Sequence, residues 1–506
     1  MPVLSQLLKT LIIVGVKCSC YNLDKVIMYH IDDLKKFVRC PILYFYSRGV
    51  DNSNHYLRSD ESIIELLAKH LKVDEYYRGL PNDPNSRFIK EKDLYQWFVK
   101  TRFEYCNLRI KIPLMHKNND GYDIYFLYNG TSLKELDLFY YRINLEVLAN
   151  LNIEVKNVYL AYINGDYVYK DHLDVDELFI IIDRLNGKKL LDIFEEEVCD
   201  FKYIINRIES TSIESYKPKK TRACHNRNVC DYYYECFKEE KELPDDSILT
   251  LVSSQNKGIM YKKGIKLLKD ADLNLVEGNR VQYAQIMASR NNGLYVNKFA
   301  LKEWIKKLDA RPISFIDFEW DTYLVPQYEK MKPLNVLPFE FVLYVLDENG
   351  NMNHYSFVGK GDCRKEFLDG LLKYIPKNGP IVAYNAFGAE CYRIKELANY
   401  FPEYSKELHE INSRFCDLAQ PFLEGLIYDV RMKGNFSLKS LVNMISNYSY
   451  KELEINDGMK AVYNWRDIDK NKENVDDKKV LNDLIQYCSL DAYGLYLVYN
   501  WLLKNV

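Results

Sequence analysis

A chain of 506 residues is long enough for two or three domains with sizeable cores, and its 47% hydrophobic and 28% charged content is ordinary for a globular protein. A formal net charge of −3 excludes a globally basic surface, so a nucleic-acid site would have to be a local basic groove offset by acidic faces. Leu11-Ile-Ile-Val-Gly-Val16 is too short to span a bilayer, and the sequence holds no low-complexity tract or internal repeat.

Residues 1–27 are expected to be an extension upstream of a start at Met28, with a lipoprotein signal ending near Cys18 as the alternative. Without a clear export signal, the twelve cysteines are expected to be reduced thiols in a cytoplasm. Leu34, Phe37 and Val38 form a helical stripe, and Cys40-Pro41 restarts the chain. Residues 104–128 read as strands joined by the polar turn Asn118-Asn-Asp-Gly121, and 133–151 as a helix. Residues 158–169 read as a hairpin turning at Asn164-Gly165, and 176–184 and 202–210 as helices. Cys224, Cys230 and Cys236 then follow at even spacing behind the basic run Lys217-Pro-Lys-Lys-Thr-Arg222. Burial does not require that interval. Three ligands want a fourth, for which Cys40 is the candidate, and four thiolates could hold a [4Fe–4S] cluster or Zn²⁺. Residues 28–245 are expected to form one domain and 246–309 a small helical connector, leaving 310–506 as the second domain.

The second domain opens on Arg311-Pro-Ile-Ser-Phe-Ile-Asp-Phe-Glu-Trp320. Ile313–Phe318 reads as a buried strand, and Asp317 and Glu319, two residues apart, share one of its faces. Two like charges on one face of a core strand repel, and a divalent cation removes that penalty. Strands are expected at 338–346, 354–358 and 380–384, and a short one ending near Phe415. A helix near 364–375 precedes the 380–384 strand, and another opens at Glu390 with Ile394, Leu397 and Phe401 as its stripe. The last helix, 480–503, carries Tyr487 and Asp491 four residues apart on one face.

Asp-x-Glu on a strand, an acid after a second strand and Tyr-x3-Asp on a last helix resemble the DEDDy 3′→5′ exonucleases of the RNase H-like superfamily. The resemblance implies that Asp317, Glu319, Glu390 and Asp491 hold two Mg²⁺ or Mn²⁺ ions and that Tyr487 places the attacking water. Two such ions activate water, neutralise the transition state and stabilise the leaving oxygen. That family usually has Asp where Glu390 stands; Asp417 ranks second as the completing acid. The Leu-x-x-Phe-x-x-Cys-Pro start with the late cysteines resembles RecB-like and CRISPR-associated nucleases of the PD-(D/E)xK fold, whose [4Fe–4S] cluster staples the chain's tail to its first helix. Here the implied ligands are Cys40, Cys224, Cys230 and Cys236. The strands at 108–116 and 122–128 lack the Asp and Glu-x-Lys of that reaction, so the first half is expected to be a degenerate PD-(D/E)xK-like domain. The order of the halves resembles an uncharacterised bacterial family fusing both. The expected protein is thus α/β, a metal-dependent exonuclease acting on nucleic acid, DNA before RNA, with no membrane association. The alternative is an inactive nucleic-acid-binding module that keeps a structural iron–sulfur cluster.

Overall fold

The computed structural model describes residues 27–48, 62–214, 216–221, 224, 230–238, 244–276 and 278–506, and the expected extension before Ile27 lies outside them. The protein is mixed α/β and divides into two compact units. Among the described residues the first comprises those within 27–167 and 174–237, and the second those within 168–173 and 238–506.

The first unit is built on a six-stranded sheet whose spatial order follows the sequence: Tyr76–Arg78, Trp97–Tyr105, Leu108–Asn118, Gly121–Tyr128, Val155–Ile163 and Phe179–Ile182. The first and fourth pairings are parallel and the others antiparallel. Helix Leu138–Asn150 supplies the crossover that a parallel pair requires. Two expectations fail in this unit. Asn164-Gly165 does not turn a hairpin into residues 166–169: the antiparallel partner of Val155–Ile163 is Phe179–Ile182, and the Asn164 N–H bonds the Leu178 carbonyl at 2.8 Å. Instead, the Tyr169 N–H donates to the Met331 carbonyl at 2.9 Å within the second unit. Nor is 176–184 a helix. One turn at Val175–Leu178 gives way to the strand Phe-Ile-Ile-Ile, because β-branched side chains fit a pleated surface better than a helix. In helix Ile31–Arg39, Leu34 and Phe37 are buried as expected, whereas Val38 is 51% exposed. Cys40 then caps that helix and Pro41 starts the next, Pro41–Ser47, where a missing N–H costs nothing.

The second unit is organised by a five-stranded sheet in the order Met352–Val358, Val336–Leu346, Ile313–Thr322, Ile381–Ala383, Phe415–Asp417. The first three strands are antiparallel and the last two run parallel to the central Ile313–Thr322. Alternation along that central strand sorts its side chains between two cores. Ile313 and Phe315 belong to the core that also holds Leu484, Leu495 and Val498 of the last helix, Asp477–Lys504. Ile316 and Phe318 join the opposite core, against Phe367 and Leu371 of helix Arg364–Tyr374 and Ile394 and Leu397 of helix Glu390–Tyr400. Asp317 and Glu319 continue the odd-numbered row, so strand period alone sends them towards the last helix.

The described residues of 246–309 lie in this unit: short helices from Ile248 to Val276 and helix Arg280–Arg290 gather around Ile248, Leu251, Met260, Leu268, Val276 and Ile286, while Leu301, Trp304 and Ile305 of helix Lys298–Ile305 join the core beneath the last helix. Strand Leu294–Val296 pairs with Ile427–Asp429.

Candidate functional site

Oxygen atoms of Asp317, Glu319 and Asp491 lie within 4.8 Å of one another. Among the described residues these form the one group of three or more His, Cys, Asp or Glu ligand atoms that close. Asp317 and Glu319 are partly exposed and Asp491 is buried. The last helix packs closely against helix Leu438–Ile445 because Gly494, on the turn after Asp491, has no side chain: a Cβ would lie 2.7 Å from Val442 Cγ2. Phe315 of the central strand packs edge-on to Tyr496, with ring centroids 5.7 Å apart, and joins the last helix to the sheet.

Burial raises the proton affinity of all three acids, and mutual repulsion adds to it: Asp491 and Glu319 push Asp317 up, and Asp491 pushes Glu319 up. Lys439 works the other way on Glu319 and Asp491. Its Nζ sits 4.6 Å from the Tyr487 ring centroid and 5.1 Å from that of Tyr450, and donates to the Asn456 carbonyl at 3.0 Å. Tyr487 hydrogen-bonds Asp491, and Tyr450 donates to Asp491 Oδ1 at 2.7 Å. Burial, with the charges of Asp491 and Glu319, holds the Tyr487 phenol far above its usual range, so it keeps its proton. Gly458, the first residue of helix Gly458–Asp469, closes this side: a Cβ there would stand 3.7 Å from Glu319 Oε2 and 4.0 Å from the Tyr487 hydroxyl. Cys488 Sγ lies 3.2 Å from Asp317 Oδ2.

Glu390 begins its helix 3% exposed, with Oε2 lacking any hydrogen-bond partner. Burial pushes its carboxyl up to about 8, and its charge acts on both Asp317 and Glu319. It therefore borders the cluster without joining the group within 4.8 Å. Asp417 has another task. Its Oδ1 accepts the Asn385 N–H at 2.8 Å and the Ala419 N–H at 3.0 Å, fastening the turn in which Asn385 takes a left-handed φ of 56°. Asp417 thus holds the loop that delivers Glu390, and its charge bears on the Glu390 carboxyl.

A residue the sequence reading missed is Glu340. It lies directly across from Glu319 in the antiparallel pair and is fully buried, with no partner for either carboxylate oxygen. Lys439 and Tyr450 were missed as well, being distant in sequence from every motif. The signal for Glu340 was a lone acid inside Pro338-Phe-Glu-Phe-Val-Leu-Tyr344, an otherwise apolar strand.

In the first unit, Cys40, Cys224, Cys230 and Cys236 line one small cavity with Leu43, Tyr233 and Phe237. Burial, then the neighbouring Cys40, Cys230 and Cys224, pushes the Cys236 thiol up to about 11. The four sulfurs are set wider than the carboxylate oxygens, since no three of them lie within 4.8 Å of one another. On the strands at 108–128, Asp123 is occupied by Asn118 and Asn157, whose amides donate to its Oδ1 at 3.0 and 2.8 Å.

Residues 314–437 match the family model described as Domain of unknown function (DUF2779). The match includes Asp317, Glu319, Glu340, Glu390 and Asp417 but stops short of Lys439, Tyr450, Tyr487 and Asp491. Neither the curated proteins nor the solved structures yielded a match to the chain. Among the described residues no helix is long and apolar enough to cross a membrane.

Proposed function

We propose that the second unit is a divalent-cation-dependent nuclease, a 3′→5′ exonuclease cleaving phosphodiester bonds of DNA or RNA. The convergence of Asp317 and Glu319 from the central strand with Asp491 from the last helix carries this reading. The sheet order, three antiparallel strands and then two parallel ones reached through helices, agrees with the RNase H-like resemblance. The donor set fits Mg²⁺ or Mn²⁺. It consists of hard carboxylate oxygens, and the unpartnered Oε2 of Glu390 is a buried acceptor left for a cation.

Asp317, Glu319 and Asp491 would hold the cations, with Glu390 at the margin. Bound there, two such ions supply Lewis-acid neutralisation of the phosphoryl group and of the leaving oxygen. The chain's own residues do the rest. Tyr487 keeps its proton, so it orients water as a hydrogen-bond donor and does not serve as the base. Tyr450 fixes the Asp491 carboxylate from the far side. Lys439 places positive charge against the cluster, where a substrate phosphate would arrive. Phe387 and Tyr392, 54% and 51% exposed on the segment that delivers Glu390, offer faces for base stacking.

We propose for the first unit a [4Fe–4S] cluster on Cys40, Cys224, Cys230 and Cys236, on a nuclease-like scaffold without its own active site. A single tetrahedral Zn²⁺ with bonds near 2.3 Å would draw the sulfurs to about 3.8 Å from one another. The four cysteines lining one small cavity support a shared metal centre there.

The decisive test is a nuclease assay on 5′-labelled single- and double-stranded DNA and RNA with Mg²⁺ or Mn²⁺, against a chelator. Stepwise shortening from the 3′ end that vanishes with chelator supports the reading. Binding without any hydrolysis would favour the inactive-module alternative.

A further inference from the structure

The central strand pairs Glu319 with Glu340, yet Trp320 pairs with Pro338, so Phe339 is an extra residue bulging from the second strand. Before the bulge, Leu337 and Phe339 face the core beneath the last helix. Simple alternation would turn Glu340 to the opposite face. The bulge resets the register, and Val342, two residues on, packs against Cys488 and Ala492 of the last helix. Glu340 is thereby aimed at the same side as Asp317 and Glu319.

Such an acid is costly. It is 0% exposed, neither oxygen has a hydrogen-bond partner, its charge bears on Glu319, and the charge of Asp491 bears on it. Nothing in the fold requires a charged group here; the neighbouring strand positions are Phe339, Phe341 and Val342, all buried and apolar.

We propose that Glu340 is a fifth carboxylate of the cation site, a positioning residue behind Glu319 that tightens binding of the divalent cation Glu319 and Asp491 would hold. The proposal rests on the cation-site reading of Asp317, Glu319 and Asp491. Glu340 lies outside their group within 4.8 Å, so it acts from behind Glu319 and does not replace a ligand. Partners of this kind behind a metal's ligands typically change affinity by about 10- to 100-fold.

The test is Mn²⁺ titration of the full chain by calorimetry and by the loss of the free-ion EPR signal. Wild type is compared with Glu340→Gln, which keeps the shape, with Glu340→Leu, which keeps the volume, and with Glu348→Gln on an exposed turn as control. The expected result is Mn²⁺ affinity about tenfold weaker or more in both Glu340 variants and unchanged in the control. Their cation-free melting temperatures should be equal to or above wild type, since an unpartnered buried acid has been removed. Wild-type Mn²⁺ affinity in either folded Glu340 variant would overturn the proposal while leaving the cation site standing. Absence of Mn²⁺ binding by wild type would overturn both.

Discussion

The Tyr450 hydroxyl donates to Asp491 Oδ1 at 2.7 Å, joining a short helical turn to the last helix across 41 residues of chain. Tyr487 reaches the same carboxylate from within the last helix. On the proposed reading, two phenols on one acid would divide the work: one would hold the ligand and the other would face the reaction. A hydrogen bond to a charged acceptor contributes about 1.5–3 kcal/mol. Tyr450→Phe should therefore lower the urea midpoint by a corresponding amount and weaken Mn²⁺ binding. An unchanged midpoint together with unchanged Mn²⁺ affinity would remove Tyr450 from the site.

Tyr487→Phe should separate catalysis from binding. The ring and its packing stay, so oligonucleotide affinity should hold within about twofold, while loss of the water-orienting hydroxyl should slow hydrolysis by about 10²-fold or more. Asp317→Asn should abolish cleavage and still fold, because it removes one of three mutually repelling acids. Single-turnover rates beside equilibrium binding decide both. Full hydrolysis by Asp317→Asn would exclude this cluster as the active site.

Stability without cations should fall as pH rises. Burial lifts the Glu390 carboxyl from its ordinary 4.5 to about 8, and Asp317 and Glu319 move in the same direction. The folded protein thus keeps protons that the unfolded chain releases in that window. The contribution is fully present below about 4.5 and is lost as pH climbs through about 8, each tenfold difference in proton affinity between the folded and unfolded chain being worth about 1.4 kcal/mol. Melting in chelator should drop between about pH 5 and pH 8 and should flatten with saturating Mn²⁺. A melting temperature that rises over that window in chelator would contradict the buried-acid account.

The four cysteines predict a coloured protein. Anaerobic purification should give a brown sample with about four irons per chain. Cys224→Ser should lose the colour and loosen the first unit, because a metal clip closing a loop as long as that from Cys40 to Cys224 removes much unfolded-chain entropy. Metal analysis returning one zinc and no iron would replace the cluster with the mononuclear site.

Much of the acidic cluster was legible because its parts obey local periods. Asp317 and Glu319 share a face since strand side chains alternate, and Tyr487 and Asp491 share one since helical neighbours recur at four residues. The same logic failed at 176–184, where a helical reading met a β-branched run that pairs with Val155–Ile163. It failed as well at Asn164-Gly165, a turn signal whose following residues pair elsewhere.

By itself the sequence determined which strands and helices bear the acids, their order, and the set of four thiols, because those patterns reside in consecutive residues. Only the tertiary structure decided which acids meet. Glu340 enters through a bulge that resets strand alternation at Phe339, and Lys439 and Tyr450 enter through packing of a separate helix and turn against the last helix. Asp417 lies outside the close group, its Oδ1 accepting the Asn385 and Ala419 N–H groups. A bulge, a close helix approach at Gly494 and a capped loop depend on residues far apart in the chain. Their energies therefore exist only once the sheet and the last helix are packed together.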